Sequence, residues 1–443
     1  MLRRVKAPTY LVGEVKAMLY RGLRVLRSAV CVLALSMLLS GTAHAALANV
    51  ATAPPPPERP PDALRQLLPD FDPILKSVAI TTQSAAGTTL TREGKGWLEV
   101  TADGRRLIHL RGTPYELGFQ QGKLMKPEVN RMVSTILQTV GLAETLHTGE
   151  PFVERLRGAY KSCEPFIPRE YIEEARGMAD GAGLQHEAVL LANIFPELFH
   201  CSGFALWGSA TRDGKLYHGR ILDYMTEIGL QQVATVMVYQ PDGKLPFVTI
   251  GYAGFIGSVT GMNSERVAIG EMGGGGQGHW NGMPMSYLVR HTLETAHTLD
   301  AAVKTFQDTP RTCEYYYVVS DGKIPSARGL AATPEKLEVV MPGEAHPKLA
   351  YPIRDAVLLS AGDRYKRLVM RVAQNFGQFT APEALSLMRR PVAMQSCLHA
   401  VLFCPTDLTF WVANATREAK PASEQPYAAY DLRALLAAKP PRP

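Results

Sequence analysis

The sequence predicts an α+β fold, and two patterns predict it. Runs of alternating apolar and polar residues meet in pairs at Asp-Gly turns, as antiparallel hairpins do: 97–100 with 106–110, 202–211 with 216–222, and 232–240 with 245–251. Helical periodicity instead gathers in a block from Pro114 to about residue 195. Hairpins grouped apart from helices are the mark of layered α+β proteins. At 443 residues, 46% hydrophobic and 20% charged, the chain has the composition of a globular protein with a substantial core.

Residues 1–45 read as an export signal. Arg21, Arg24 and Arg27 precede an apolar run from Ala29 to Leu39, followed by Gly41 and the small-residue site Ala43-His44-Ala45. The run is too short for a comfortable membrane span, so a periplasmic or secreted protein without a stable span is expected after cleavage. The formal charge of +6 suggests a polyanion partner only at first sight. Seven of the 47 Lys and Arg and one of the 41 Asp and Glu lie within residues 1–45, so the remainder is balanced and nucleic acid is not indicated. Residues 46–95 form a Pro-rich leader, with Pro54 to Pro57, Pro60 and Pro61 favouring extended chain.

Order is expected from Gly96, where a hairpin turns at Asp103-Gly104. Pro114 then opens one long amphipathic helix through Leu117, Leu124, Met125, Val129, Met132, Val133, Ile136 and Leu137. Further helices read at 150–162, 168–183 and 186–195. Gly118 and Gly122 lie one turn apart and admit a neighbour at close range. Glu173 and Glu174 are adjacent, do not share a face, and read as solvated surface.

The hairpin 202–222 carries the chemistry. It has Cys201 at the head of its first strand and Arg220 and Asp223 at the far end of its second. A thiol, a guanidinium and a carboxylate at one end of a hairpin suit a nucleophile site, although a lone Cys is ordinarily a small buried hydrophobe. A two-residue turn at Asp213-Gly214 sets Asp223 opposite Phe204, three places and about 10 Å short of Cys201. A bulge at Gly208-Ser209 is expected to restore the approach.

Beyond it, 255–272 continues as strands with a turn at Gly261 to Ser264. The glycines Gly273 to Gly276 then read either as a mobile loop over a pocket or as a plain linker, without the Gly-Lys-Ser/Thr ending of a phosphate loop. A helix at 284–297 follows, then strands near 314–319, 327–331 and 337–340, and helices at 363–376 and 382–389. A last hairpin, 398–403 with 408–413, holds His399 as a strand histidine ahead of a loosely ordered tail. With Cys31 in the signal, Cys163, Cys201, Cys313, Cys397 and Cys404 remain, which fits two disulfides plus a working thiol or five reduced cysteines. Cys397 and Cys404 on one strand are about 23 Å apart, so any bridges would run to Cys163 and Cys313. No Gly-x-Ser-x-Gly elbow, His-Glu-x-x-His or paired Cys-x-x-Cys occurs, so neither an ordinary α/β-hydrolase nor a zinc site is indicated.

Cys201-x-Gly203-Phe204-Ala205, the Asp-Gly turn, then Tyr217-x-Gly219-Arg220-x-x-Asp223-Tyr224 resembles the mature start of the N-terminal nucleophile (Ntn) hydrolases. It is closest to peptidase family C45, the group of the acyl-CoA:6-aminopenicillanic acid acyltransferases, with choloylglycine hydrolases more distant. Gly112 to Gly118, Gln121-Gly122 and Leu398 to Val401 extend the resemblance. It implies a four-layer αββα sandwich, with 96–200 the N-terminal helical segment of a precursor and 201–443 the core. It also implies self-cleavage between His200 and Cys201, after which the two pieces stay associated. The Cys201 thiol is then the nucleophile and its new α-amine the base. Asp223 orients the amine, while Arg220 holds Asp223 and keeps the thiol ionised. The implied substrate is a small acylated amide, hydrolysed or used as acyl donor, without cofactor or metal. An ester or phospholipid acyl hydrolase on the same site, or a non-catalytic envelope binding protein, are the alternatives. The chain departs from the relatives at the oxyanion hole, where their Asn is replaced by Met272-Gly273 or Glu314-Tyr315. Backbone N–H groups at Met272 and Gly273, and the Asn263 side chain, are the remaining candidates.

Overall fold

The computed structural model of the protein describes residues 78–81, 87–194, 200–224, 226–274, 279–347, 349 and 351–440. The export signal, most of the Pro-rich leader and residues 275–278 of the glycine-rich stretch lie outside the described residues. The described alternating runs form two sheets. The first has seven strands side by side: β1 (Ile80–Thr81), β17 (Tyr427–Asp431), β16 (Thr409–Asn414), β15 (Cys397–Cys404), β6 (Gly214–Asp223), β5 (His200–Gly208) and β14 (Ala356–Leu359). The second has ten: β13 (Leu337–Val340), β12 (Ser326–Ala332), β11 (Tyr315–Asp321), β10 (Val267–Gly273), β9 (Thr260–Asn263), β8 (Phe247–Tyr252), β7 (Ala234–Pro241), β4 (Arg106–Gly112), β3 (Gly96–Val100) and β2 (Thr89–Glu93). β5 and β6 lie against β10 and β11, so the sheets face each other. Central strands such as β8 and β15 are buried at every position, because they are covered on both sides.

Helices close the outer faces. α1 (Pro114–Leu124), α2 (Lys126–Ser134), α3 (Gly141–Thr148), α4 (Phe152–Cys163), α5 (Arg169–Ala182) and α6 (His186–Asn193) precede the central hairpin. α1, α7 (Met285–Thr295) and α8 (Leu299–Asp308) cover the ten-stranded sheet; α9 (Gly362–Gln374) and α10 (Ala381–Leu387) cover the seven-stranded one. The order is helix, sheet, sheet, helix. Among the described residues no helix is long and apolar enough to cross a membrane.

Several expectations need correction. The single helix from Pro114 breaks at Met125 (φ −120°, ψ 32°) because Pro127 follows in the first turn of α2 and supplies no N–H. Gly118 and Gly122 do admit a close neighbour: a Cβ on either would overlap the α5 backbone at Glu174 and Met178. That approach removes Glu174 from the surface. It is buried and makes a bidentate pair with Arg290 of α7, at 2.9 and 2.6 Å, while Glu173 remains exposed. The expected loose tail is instead β17 followed by α11 (Leu432–Ala437), whose start is capped by the Asp431 side chain. The five described cysteines are buried thiols, so no disulfide pairing arises.

Candidate active site

The β5–β6 pairing brings the predicted residues to one end of the hairpin. His200 stands opposite Asp223 and Cys201 opposite Leu222. The expected bulge is only part of the cause. The register slips between Leu206 and Gly208, and residues 209–213 form a loop in place of the two-residue turn. Gly208 takes a positive φ of 52°, and Asp355, just before β14, accepts the Ser209 N–H at 2.9 Å. The loop is held open by a carboxylate far away in sequence.

Strand alternation now sorts the side chains. Cys201 and Arg220 point between the sheets, whereas Asp223 and Ser202 point towards the α9 side. The Cys201 thiol accepts an N–H from Arg220 Nη2 at 3.4 Å and another from the Gly273 backbone. Arg220 is wholly buried. Its Nε donates to the Glu271 carbonyl at 3.0 Å, Nη2 to the Glu271 carboxylate at 3.1 Å, and Nη1 to His399 Nε2 at 2.7 Å. Arg220 therefore does not hold Asp223. That task falls to Arg364 of α9, whose Nη1 lies 2.8 Å from Asp223 Oδ2, and to the Met394 N–H, 2.9 Å from Oδ1. Arg364 also reaches the Ser202 hydroxyl at 3.2 Å.

The electrostatics follow from burial. Burial pushes the Cys201 thiol up to about 12, against the pull of Arg220 and with a further push from Glu271. Burial thus outweighs the pull of the Arg220 charge on this thiol. Burial likewise raises the Glu271 carboxyl above the usual range, against the Arg220 charge.

Asp223 is raised to about 6, by burial first and against the Met394 N–H and the charges of Arg364 and Arg220. Folding therefore favours the neutral carboxyl. The stability this contributes is full below about pH 4 and is lost as pH rises through about 6, a displacement worth about 3 kcal/mol. In a Cys201→Ala background, Asp223→Asn should be more stable than its parent at pH 7.5 by up to about 3 kcal/mol, with the gap closing near pH 4. Urea melts at the two pH values check this; a variant less stable than its parent at pH 7.5 contradicts it.

Cys201, Met272 and Gly273 open onto a cavity of about 240 Å³. Its walls are mostly apolar, from Tyr316, Leu330, Val340, Leu349 and Leu359, with His346, Ser360 and Arg364 as polar lining. Of the oxyanion candidates, Gly273 has its N–H on the thiol and Met272 lines the cavity. Asn263 is not part of the site. Its amide donates to the Leu293 and Ala296 carbonyls and its oxygen accepts from the Glu265 and Val267 N–H groups, fixing a turn. Sequence reasoning missed Glu271 and Arg364. An acid inside the apolar run 267–272 was a signal for the first, whereas Arg364 is one of several basic residues on its helix. His399 is a strand histidine, as expected, but it touches Arg220. Among the described residues no cluster of His, Cys, Asp or Glu could hold a metal ion.

The hairpin, the cavity and the paired sheets form a helix–sheet–sheet–helix sandwich with a buried thiol at the end of one hairpin. The family model described as acyl-coenzyme A:6-aminopenicillanic acid acyl-transferase matches residues 210–329, a span that takes in Arg220, Asp223, Glu271 and Gly273. Protein dcd1B of Dictyostelium discoideum is 25% identical over 417 residues, covering 84% of this chain and 82% of that protein. The N-acylethanolamine-hydrolyzing acid amidase of Rattus norvegicus is 27% identical over 177 residues, covering 38% of this chain and 48% of the amidase. A solved Caenorhabditis elegans ortholog of that amidase is 16% identical, with a TM-score of 0.40, covering 46% of this chain and 93% of its own. The chain thus spans about half the length of the rat amidase it matches. Over residues 210–329 it is similar to the acyl-coenzyme A:6-aminopenicillanic acid acyl-transferase family, and over 177 residues to the acid amidase of Rattus norvegicus.

Proposed function

We propose that this is an exported Ntn hydrolase that cuts itself between His200 and Cys201 and then cleaves a linear amide, or transfers its acyl group, through the Cys201 thiol. One observation carries the reading. The thiol faces a largely apolar cavity beside a Gly273 N–H, while Asp223 stands opposite the residue whose removal frees the Cys201 amine. In the first step Cys201 Sγ attacks the His200 carbonyl carbon. The C–N bond breaks, the nitrogen takes the thiol proton, and a thioester remains. Water then hydrolyses that thioester, leaving a His200 carboxylate and a free thiol beside a free α-amine.

An α-amine has an ordinary pKa of about 7.7–8.0, which suits a base near neutrality. Asp223 keeps acceptor capacity beyond its bonds to Arg364 and Met394 and can orient that amine. The amine takes the thiol proton as sulfur attacks the substrate carbonyl, and the Gly273 N–H supports the developing oxyanion. The same proton leaves on the departing amine. Water, or an acceptor amine, then removes the acyl group. The cavity lies just below the size of a drug-sized ligand site, so it fits one arm of the substrate, and its apolar walls suit the acyl arm. The rat relative's name, an N-acylethanolamine-hydrolyzing amidase, agrees with an acylated amide as substrate.

Purified protein incubated in clean buffer and sequenced from its amino ends tests this. Cys201 is the expected new terminus. An intact chain with amidase activity would make Cys201 an ordinary nucleophile, and an intact, inactive chain would favour a non-catalytic binding protein.

A further inference from the structure

We infer that His399 is a positioning residue for this reaction: its Nε2 lone pair anchors the Arg220 guanidinium so that an Nη2–H stays on the Cys201 thiol. The inference rests on the Ntn reading for its consequence, though not for its geometry. Arg220 enters from β6 into the space between the sheets. Gly270 leaves the room, since a Cβ there would lie 2.8 Å from Arg220 Cγ. β15 pairs Val401 with Arg220 and His399 with Leu222, so His399 and Arg220 are diagonal neighbours on one face.

A guanidinium has donors and no acceptor. With Arg220 Nη1 at 2.7 Å, His399 Nε2 must offer its lone pair, and the ring proton therefore sits on Nδ1. The Tyr252 hydroxyl lies 3.3 Å from that Nδ1 and can receive it, while Thr260 Oγ1 lies 3.2 Å from Nε2. Among the described residues, Arg220, Tyr252 and Thr260 are the polar groups within hydrogen-bond reach of the ring. Burial first, then the Arg220 charge, holds the ring's pKa far below its ordinary value. His399 is thus a fixed acceptor and carries no proton in the reaction.

The planar guanidinium fork makes this matter. Glu271 holds its Nε and Nη2 edge, and His399 holds the Nη1 end. With both held, the Nη2 contact to sulfur has one geometry. Without His399, a buried Nη1–H lacks its acceptor and the fork can turn off the thiol.

The test uses the full chain with His399→Leu, which removes the acceptor, and His399→Gln, whose amide oxygen can replace it. Two rates are read: alkylation of Cys201 by iodoacetamide as a function of pH, located by peptide mass mapping, and self-cleavage. His399→Leu should slow both by about tenfold or more, in line with the loss of an aimed charged donor, and His399→Gln should restore them to within about threefold of the parent. A Leu variant with the parent's alkylation profile and cleavage rate overturns the inference, as do Leu and Gln variants that fall equally. Should the Leu variant fail to fold, nitrogen NMR of the parent's histidines decides. A neutral, Nδ1-protonated His399 from about pH 5 to 8 is expected, and an Nε2-protonated or charged ring overturns the assignment. A parent that never cuts itself rejects the Ntn reading, while the alkylation profiles and the tautomer still decide the role of His399.

Discussion

Cys201→Ala should yield one uncut chain that folds like the parent and has lost its acyl chemistry. On the proposed scheme the change removes the nucleophile and with it both covalent steps, so the expected loss of turnover is about 10⁴-fold or more. The fold should barely notice. The thiol is small, and the groups it leaves, Arg220 Nη2 and the Gly273 N–H, lose a weak acceptor worth about 1 kcal/mol. Arg220 keeps its bonds to Glu271 and His399. Mass spectrometry of intact protein, thermal unfolding and an amidase assay read the three parts separately. Equal cutting of wild type and Cys201→Ala would point to a contaminating protease and leave self-cleavage without support.

Glu174→Ala should be the most damaging single change away from the thiol. Arg290 is wholly buried, with Glu174, Glu294 and the Ile256 carbonyl around its guanidinium and the rings of Tyr171 and Tyr239 at 4.8 and 4.6 Å. Deleting Glu174 leaves the buried Arg290 paired with Glu294, a carboxylate it shares with Lys244, so the loss falls at the lower end of the range of about 3–5 kcal/mol for a broken buried pair. Glu174→Gln keeps the oxygen acceptor and should lose less. On the proposed scheme Glu174 belongs to the piece ending at His200 and Arg290 to the piece beginning at Cys201. The alanine variant should therefore release its first piece at lower urea than wild type, as read by size-exclusion chromatography of the cut protein. A variant within about 1 kcal/mol of wild type would mean that Arg290 is held well enough without Glu174.

The elements were legible where a local pattern had a local cause. The hairpins at Asp-Gly turns and helices such as α5 and α9 follow from periodicity and turn chemistry within a dozen residues. The errors fall where a distant residue decides. Asp355 sets the loop after β5, the α1–α5 approach buries Glu174, and Arg364 reaches Asp223 from another element. No spacing along the chain carries those contacts. For the site, Cys201, Arg220 and Asp223 were legible as a motif, and Gly273 only as a candidate backbone donor where the relatives have Asn. The partner of each charge was not: Arg220 and Asp223 are neighbours in sequence that point to opposite faces of one sheet.

If the chain is cut before Cys201 as proposed, β4 carries a consequence for the lifetime of the product. It pairs in parallel with β7 from Leu107–Val236 to Gly112–Pro241, so the ten-stranded sheet is completed by chain from before the scissile bond. While the bond is intact, that pairing is intramolecular and its stability does not depend on dilution. Once the bond is cut, an opened molecule reassembles only by meeting a separate polypeptide, and each opening in dilute solution becomes a chance of permanent loss. Persistence after maturation is then governed by how slowly the joined pieces come apart. On the proposed scheme the sheet is built once, as a single chain, and afterwards only kept.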